Sequence, residues 1–180
     1  MIKHYKDLYR KKARHSDIIN ENNTELIKNA SILINQLNPK NIGLYYNLKH
    51  EVNILSLIEI NSEINFCFPK IINEEVEFYL FNKESNFKKN PKYNFFEPNS
   101  TTQTIPDLIF VPGLMFDVKG YRLGFGKGYY DKYFANKVKL GYNQTLIGVC
   151  NSKNLTIEIP NENHDIKMHY ILFNKNILKL

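Results

Sequence analysis

Gly124, Gly126 and Gly128 alternate with Leu123, Phe125 and Lys127 in the run GYRLGFGKGYYDKYF, residues 120–134, within a chain that has only 8 glycines. Bare backbone lets consecutive N–H groups converge on one anion, and a helix expected to begin near Tyr129 adds the partial positive charge of its N-terminus. That is the outline of a phosphate cradle. Arg122 before the run and Lys127 inside it supply cations that can neutralise a polyphosphate and the charge on a transferring phosphoryl group, so these two are the candidate catalytic residues. Asp131 brings the carboxylate that a phosphate-bridging Mg²⁺ needs, and Tyr129 and Tyr130 offer flat faces to a ring. No Gly-Lys-Ser/Thr tripeptide is present, so the run is not a Walker loop, nor does it carry the full dinucleotide fingerprint directly behind a strand. GFGKG alone reads as a flexible turn; its charged and aromatic neighbours give it a chemical reading.

A cradle needs elements to hold it. Residues 3–15 read as a helix with Tyr5, Leu8 and Tyr9 on one side and cations over the rest. Thr24 can cap a second helix in which Leu26, Ala30, Leu33 and Leu37 form an apolar stripe that ends at NPKN. A short buried strand is expected over residues 42–46, an amphipathic helix over 52–60, and a strand in INFCFP closed by Pro69. VEFYLF alternates like a strand, the Asn- and Lys-rich stretch 82–104 reads mostly as loop, and residues 108–111 form a compact apolar strand. After the glycine run come a helix over about 128–134, the strand TLIGVC and a last strand near YILF. Strands alternating with helices predict an α/β fold, a three-layer α/β/α sandwich with a largely parallel, Rossmann-like sheet. Ligands in such sheets collect beyond the carboxyl ends of the strands, which points to the loops after Tyr46 and Val111.

The 180 residues are expected to make one domain, 1–180, and a hydrophobic fraction of 43% with 23% charged residues argues against extended disorder. No apolar run approaches the roughly 20 residues of a membrane span, and MIKHYKDLYRKKAR has no signal-peptide core, so a cytoplasmic location is expected. Cys67 and Cys150 stand apart in apolar segments and read as small hydrophobes rather than a disulfide or metal ligands. A net charge of +6 favours anionic partners: nucleic acid, nucleotide or a polycarboxylate.

PDLIFVPGLMFDVKGYRLGFGKGYYDKYF, residues 106–134, resembles the C-terminal signature of the 5-formyltetrahydrofolate cyclo-ligases, also called methenyltetrahydrofolate synthetases, in its strand, VPG turn, FD…G pair and whole RLGFGKGYYD run. IGLYYNLKHEVN, residues 42–53, is similar to the segment that supplies a folate-contacting glutamate, here Glu51, with Tyr46 on the strand before it. FEP at 96–98 resembles the family's Glu-Pro turn, ENHDIKMHYIL its closing HD segment, and KDLYR gives Lys6 and Arg10 the spacing of its phosphate-reaching Lys and Arg. The chain departs from the pattern at Tyr9, where Leu is usual, at Lys167, a common proline position, and at His169, a common acidic one.

The resemblance implies ATP- and Mg²⁺-dependent conversion of 5-formyltetrahydrofolate to 5,10-methenyltetrahydrofolate, with release of ADP and phosphate. It assigns ATP to Lys6, Arg10, Arg122, Leu123, Gly124, Phe125, Gly126, Lys127, Gly128, Tyr129 and Tyr130, and Mg²⁺ to Asp131 and Asp165. Folate falls to Tyr46, Glu51 and residues 125–129. Each assignment has a plainer rival: Glu51 can favour a helix N-terminus, Asp165 can cap a turn, and Tyr46 can be core. The expected partners are two small molecules, with no nucleic acid or membrane, and the chain is expected to be a monomer. Two alternatives stay open on the residues alone: a single-stranded nucleic-acid binder, from the basic balance and abundant aromatics, and a related α/β enzyme using ATP on another substrate.

Overall fold

The structure, a computed structural model, describes residues 2–15, 23–82, 86–93 and 95–180. Its elements are α1 (Ile2–His15), α2 (Thr24–Leu37), β1 (Asn41–Gly43), α3 (Leu57–Ile60), β2 (Asn65–Ile72), β3 (Glu75–Leu80), β4 (Phe87–Lys89), β5 (Phe96–Pro98), β6 (Gln103–Thr104), β7 (Leu108–Pro112), β8 (Met115–Asp117), β9 (Arg122–Leu123), α4 (Tyr129–Lys139), β10 (Thr145–Cys150), β11 (Leu155–Thr156), β12 (Tyr170–Phe173) and β13 (Asn176–Lys179). Among these residues the main sheet has the order β13-β12-β10-β7-β1-β2-β3-β6. Neighbours from β12 to β2 are parallel, and β13, β3 and β6 add antiparallel edges. No described helix is long and apolar enough to cross a membrane.

Apolar residues that alternate along a strand must part onto its two faces, and both faces here are covered. Leu108, Phe110, Ile147 and Val149 pack with Leu26, Ala30, Leu33 and Ile34 of α2 and Leu57 of α3. Ile109, Val111, Leu146 and Cys150 face Tyr133 and Phe134 of α4 together with Phe116. The expected three-layer sandwich with a largely parallel sheet is therefore present. A smaller sheet, β11-β8-β9, joins α1 through Ala13, Leu114, Met115, Leu123 and Ile159. Both cysteines are free and buried, and burial pushes the Cys150 thiol up to about 12.

Several local expectations are corrected. Asn23, not Thr24, occupies the cap position of α2, without a side-chain cap bond, and Asn38 ends the helix at φ 47, a left-handed conformation that Asn tolerates. β1 stops at Gly43, although the Leu44 N–H still donates to Cys67 O at 2.8 Å. The 52–60 helix shrinks to Leu57–Ile60 because Val52 and Ile54 are buried from an irregular segment, so their spacing reflects core contact rather than helical period. Stretch 82–104 is mostly loop, as expected, but it carries three short strands that the sequence does not announce: β4 and β5 pair with each other and β6 pairs with β3, contacts that local composition hides.

Two further corrections shape the site. β2 runs straight through Pro69 to Ile72. The Phe81 N–H donates to Phe66 O, so Phe66, Phe68 and Lys70 turn their backbone groups to β3 while the Pro69 nitrogen points to the other side, beyond the end of β1, where it costs no ladder bond. On α1, Tyr5 and Leu8 are exposed, whereas Lys6 and Ala13 are buried. The helix turns part of its cationic face inward because acidic partners wait there.

Candidate active site

A cavity of about 840 Å³ opens beyond the carboxyl ends of β1 and β7, with Tyr45, Tyr46 and Pro112 in its lining. This is the strand-end crevice that the sheet topology predicts. The residues singled out by sequence converge on it. Lys6, Arg10, Tyr46, Glu51, the whole stretch from Arg122 to Asp131, and Asp165 all line this one cavity.

The β8–β9 hairpin and the start of α4 position the glycine segment. Met115 and Phe116 pair with Leu123 and Arg122, and the Leu114 N–H donates to Leu123 O at 2.8 Å. Gly126 has φ 98 and Gly128 φ 67, a region costly for any residue with a side chain. A Cβ at 126 would also lie 3.2 Å from the Arg10 guanidinium carbon, whereas around Gly128 the space is open. Gly128 is the N-cap of α4, so the positive end of a helix borders the cavity.

The charged residues hold one another in place. Arg122, its side chain only 7% exposed, donates from Nη2 to Asp131 Oδ2 at 3.0 Å and from Nη1 to Pro112 O at 3.2 Å. Its guanidinium carbon lies 5.2 Å from the centre of the Tyr130 ring, and its buried Nε has no partner. Lys6 Nζ donates to Asp165 Oδ2 at 2.6 Å and to Glu162 Oε2 at 3.0 Å. Burial opposes the Lys6 charge, but the two carboxylates outweigh it and hold the ammonium above its ordinary range. Arg10 Nε donates to Gly124 O at 3.0 Å, tying α1 to the glycine segment. Lys127 is exposed.

Glu51 is buried, and its Oε2 accepts the Leu48 N–H at 2.7 Å. Burial lifts its carboxyl from the usual 4.5 to about 7, with the Leu48 bond and Arg122 pulling the other way. Burial, and then the Glu51 charge, pushes the Tyr130 phenol up as well. Such a carboxyl changes charge near neutrality.

Among the described residues no three His, Cys, Asp or Glu side chains cluster as a protein-built metal cage. A Mg²⁺ that travels with a nucleotide needs only one or two carboxylates, because phosphates and water supply the other oxygens. Asp131 and Asp165 fit that smaller requirement. Each gives Oδ2 to a cation on the cavity wall.

Sequence reasoning missed much of the apolar lining. Tyr93 and Phe95 enter from the β4–β5 connection, Phe96 from the start of β5, and Pro69, Ile71 and Val76 from β2 and β3. The Tyr46 ring lies 4.7 Å from that of Phe96 and 5.1 Å from that of Phe87, and Tyr93 meets Tyr129 edge-on at 5.8 Å. The available signal was YNFFEP, three rings in an otherwise polar stretch. Glu162, the second partner of Lys6, was also unassigned.

Residues 6–174 match the model of the 5-formyltetrahydrofolate cyclo-ligase family. The chain is similar to a probable 5-formyltetrahydrofolate cyclo-ligase of Schizosaccharomyces pombe, 33% identical over 159 residues and covering 78% of each protein. It is also similar to a 5-formyltetrahydrofolate cyclo-ligase of Mycoplasma genitalium, 32% identical over 151 residues, 82% of this chain and 80% of the relative. Among solved structures it resembles the 5,10-methenyltetrahydrofolate synthetase of Aquifex aeolicus, with a TM-score of 0.82 and 28% identity over 97% of this chain and 92% of the other.

Proposed function

This chain belongs to the 5-formyltetrahydrofolate cyclo-ligase family, and from that premise we propose that it converts 5-formyltetrahydrofolate to 5,10-methenyltetrahydrofolate at the expense of ATP, in the presence of Mg²⁺. A formamide oxygen leaves poorly until it carries a phosphoryl group. Once it does, the neighbouring folate nitrogen closes the ring on the activated carbon and phosphate departs.

The work left to the protein is alignment and charge neutralisation, without a nucleophilic side chain. In this reading the amides between Leu123 and Tyr130 cradle the terminal phosphates, and Arg122, already anchored by Asp131 and Pro112, sets its positive charge beside the charge that moves during transfer. Lys6, Arg10 and Lys127 neutralise the rest of the polyphosphate. Asp131 and Asp165 would hold the Mg²⁺, which supplies further charge neutralisation. Glu51 and Tyr46 contact the folate, and the rings of Tyr93, Phe95 and Phe96 cover its apolar surface and exclude water. The setting is a cytoplasmic monomer acting on two small molecules.

One observation carries the reading: segments far apart in the chain bring a glycine-rich helix start, cations and a ring-lined wall to one cavity at the strand ends. Incubation with 5-formyltetrahydrofolate, ATP and Mg²⁺ should produce the methenyl chromophore. Folded protein that gives no ATP-dependent absorbance change refutes the assignment.

A further inference from the structure

Asp117, at the end of β8, is fully buried, and no basic side chain pairs with its carboxylate among the described contacts. Three backbone N–H groups solvate it instead. Oδ1 accepts from Lys119 at 3.0 Å and from Tyr121 at 2.9 Å, while Oδ2 accepts from Ile159 at 2.8 Å. A buried carboxylate is costly unless such charge-assisted bonds satisfy it, so the site invests heavily in this geometry.

The two oxygens serve different segments. Lys119 and Tyr121 lie in the turn that returns the chain into β9, and Arg122 follows immediately. Ile159, itself buried, begins the segment that carries Glu162 and Asp165, the pair that grips Lys6 of α1. Neighbouring backbone bonds lace the turn to the same region: Val118 N–H to Thr156 O, and Met168 N–H to Gly120 O. We propose that Asp117 is a positioning residue, whose carboxylate clamps the Arg122 hairpin to the 159–165 segment and so sets the separation of Arg122 from Lys6. The clamp is read from geometry alone; its consequence for catalysis rests on the function proposed above.

An amide cannot do the same job. If the Asn oxygen keeps Lys119 and Tyr121, its NH₂ confronts the Ile159 N–H, donor against donor, and the tie between the two segments is lost. In D117N the KM for ATP should therefore rise about tenfold or more, with kcat falling, because the two cations no longer meet the phosphates together. The KM for 5-formyltetrahydrofolate should stay within about twofold. Amide exchange of Ile159 should quicken while that of β7 and β10 is retained.

Folded D117N with both KM values and kcat unchanged, or with both KM values raised equally, overturns the proposal. If D117N does not fold, amide exchange in the wild-type protein decides: Lys119, Tyr121 and Ile159 should open as one unit and be slowed together by saturating ATP and Mg²⁺, and independent exchange of Ile159 overturns the clamp. A wild type that makes no chromophore but shows this joint exchange overturns the functional assignment and leaves the clamp standing.

Discussion

The glycine-rich wall of the cavity, which we propose holds the phosphates and call the phosphate wall, and the aromatic wall are built by different routes. The first is almost contiguous, Arg122 to Asp131, and its groups are directional: amides at a helix start and cations already oriented by Asp131, Asp165, Glu162 and a carbonyl. The second is assembled from residues near the ends of β1, β2 and β3 and from the β4–β5 connection and the start of β5, and it is held by ring packing. Directional groups prepared in advance act mainly on the rate of a step that moves charge, whereas apolar area acts mainly on affinity. Mutations on the two walls should therefore separate into turnover effects and folate-affinity effects.

The sharpest break is Arg122→Ala, which removes a buried donor from the phosphate wall and leaves Asp131 without its cation. We expect kcat to fall about 10²–10³-fold, the range for loss of one preorganised donor, with the folate KM little changed. Steady-state absorbance kinetics give both numbers. Normal kcat with a raised folate KM would reverse the division of labour.

Glu51 carries a buried charge near Arg122, and its effect is on stability. Because its folded-state value lies near 7 against 4.5 for a free carboxyl, the folded protein binds the proton more tightly than the unfolded chain. Its contribution therefore falls as pH rises from about 4.5 to 7, and above that the ionised group costs about 3 kcal/mol. Glu51→Gln should raise stability by that order near pH 8 and leave it unchanged near pH 4, as urea melts at the two values would report. A gain that is equal at both pH values removes the buried charge from the account.

Phe96→Ala tests the other wall. Phe96 is 39% exposed in the free protein and packs at a tilt against Tyr46. Loss of that ring should raise the folate KM about 10–20-fold, from roughly 1.5 kcal/mol of apolar burial, while the ATP KM holds. Equal rises in both would mean that the walls are not separate. Lys127→Ala should be the mildest, about two- to fivefold in kcat/KM and smaller still in high salt, because an exposed ammonium is screened. The sequence set Lys127 beside Arg122 as an equal; burial makes them unequal.

What could be read from the sequence follows the same divide. The phosphate wall was legible because its chemistry lies within one short run, where glycine positions, helix start and charges reinforce one another. The layered sheet was legible from alternation, since Leu108–Pro112 and Thr145–Cys150 are apolar on both faces. The aromatic wall was not, because β4, β5 and β6 exist through pairing that neighbouring residues do not announce. The burial of Lys6 on α1 could not be read for a related reason. What buries Lys6 is the acid pair Glu162 and Asp165, more than 150 residues away, with separations of 156 and 159.

Pro69 carries a consequence of another kind. Where β2 outruns β1, its free flank would ordinarily offer donors and acceptors to any extended peptide. The ring nitrogen sits on that flank and has no hydrogen to give. Where β2 extends past β1 toward the cavity, that flank therefore presents one backbone donor fewer to an intermolecular strand.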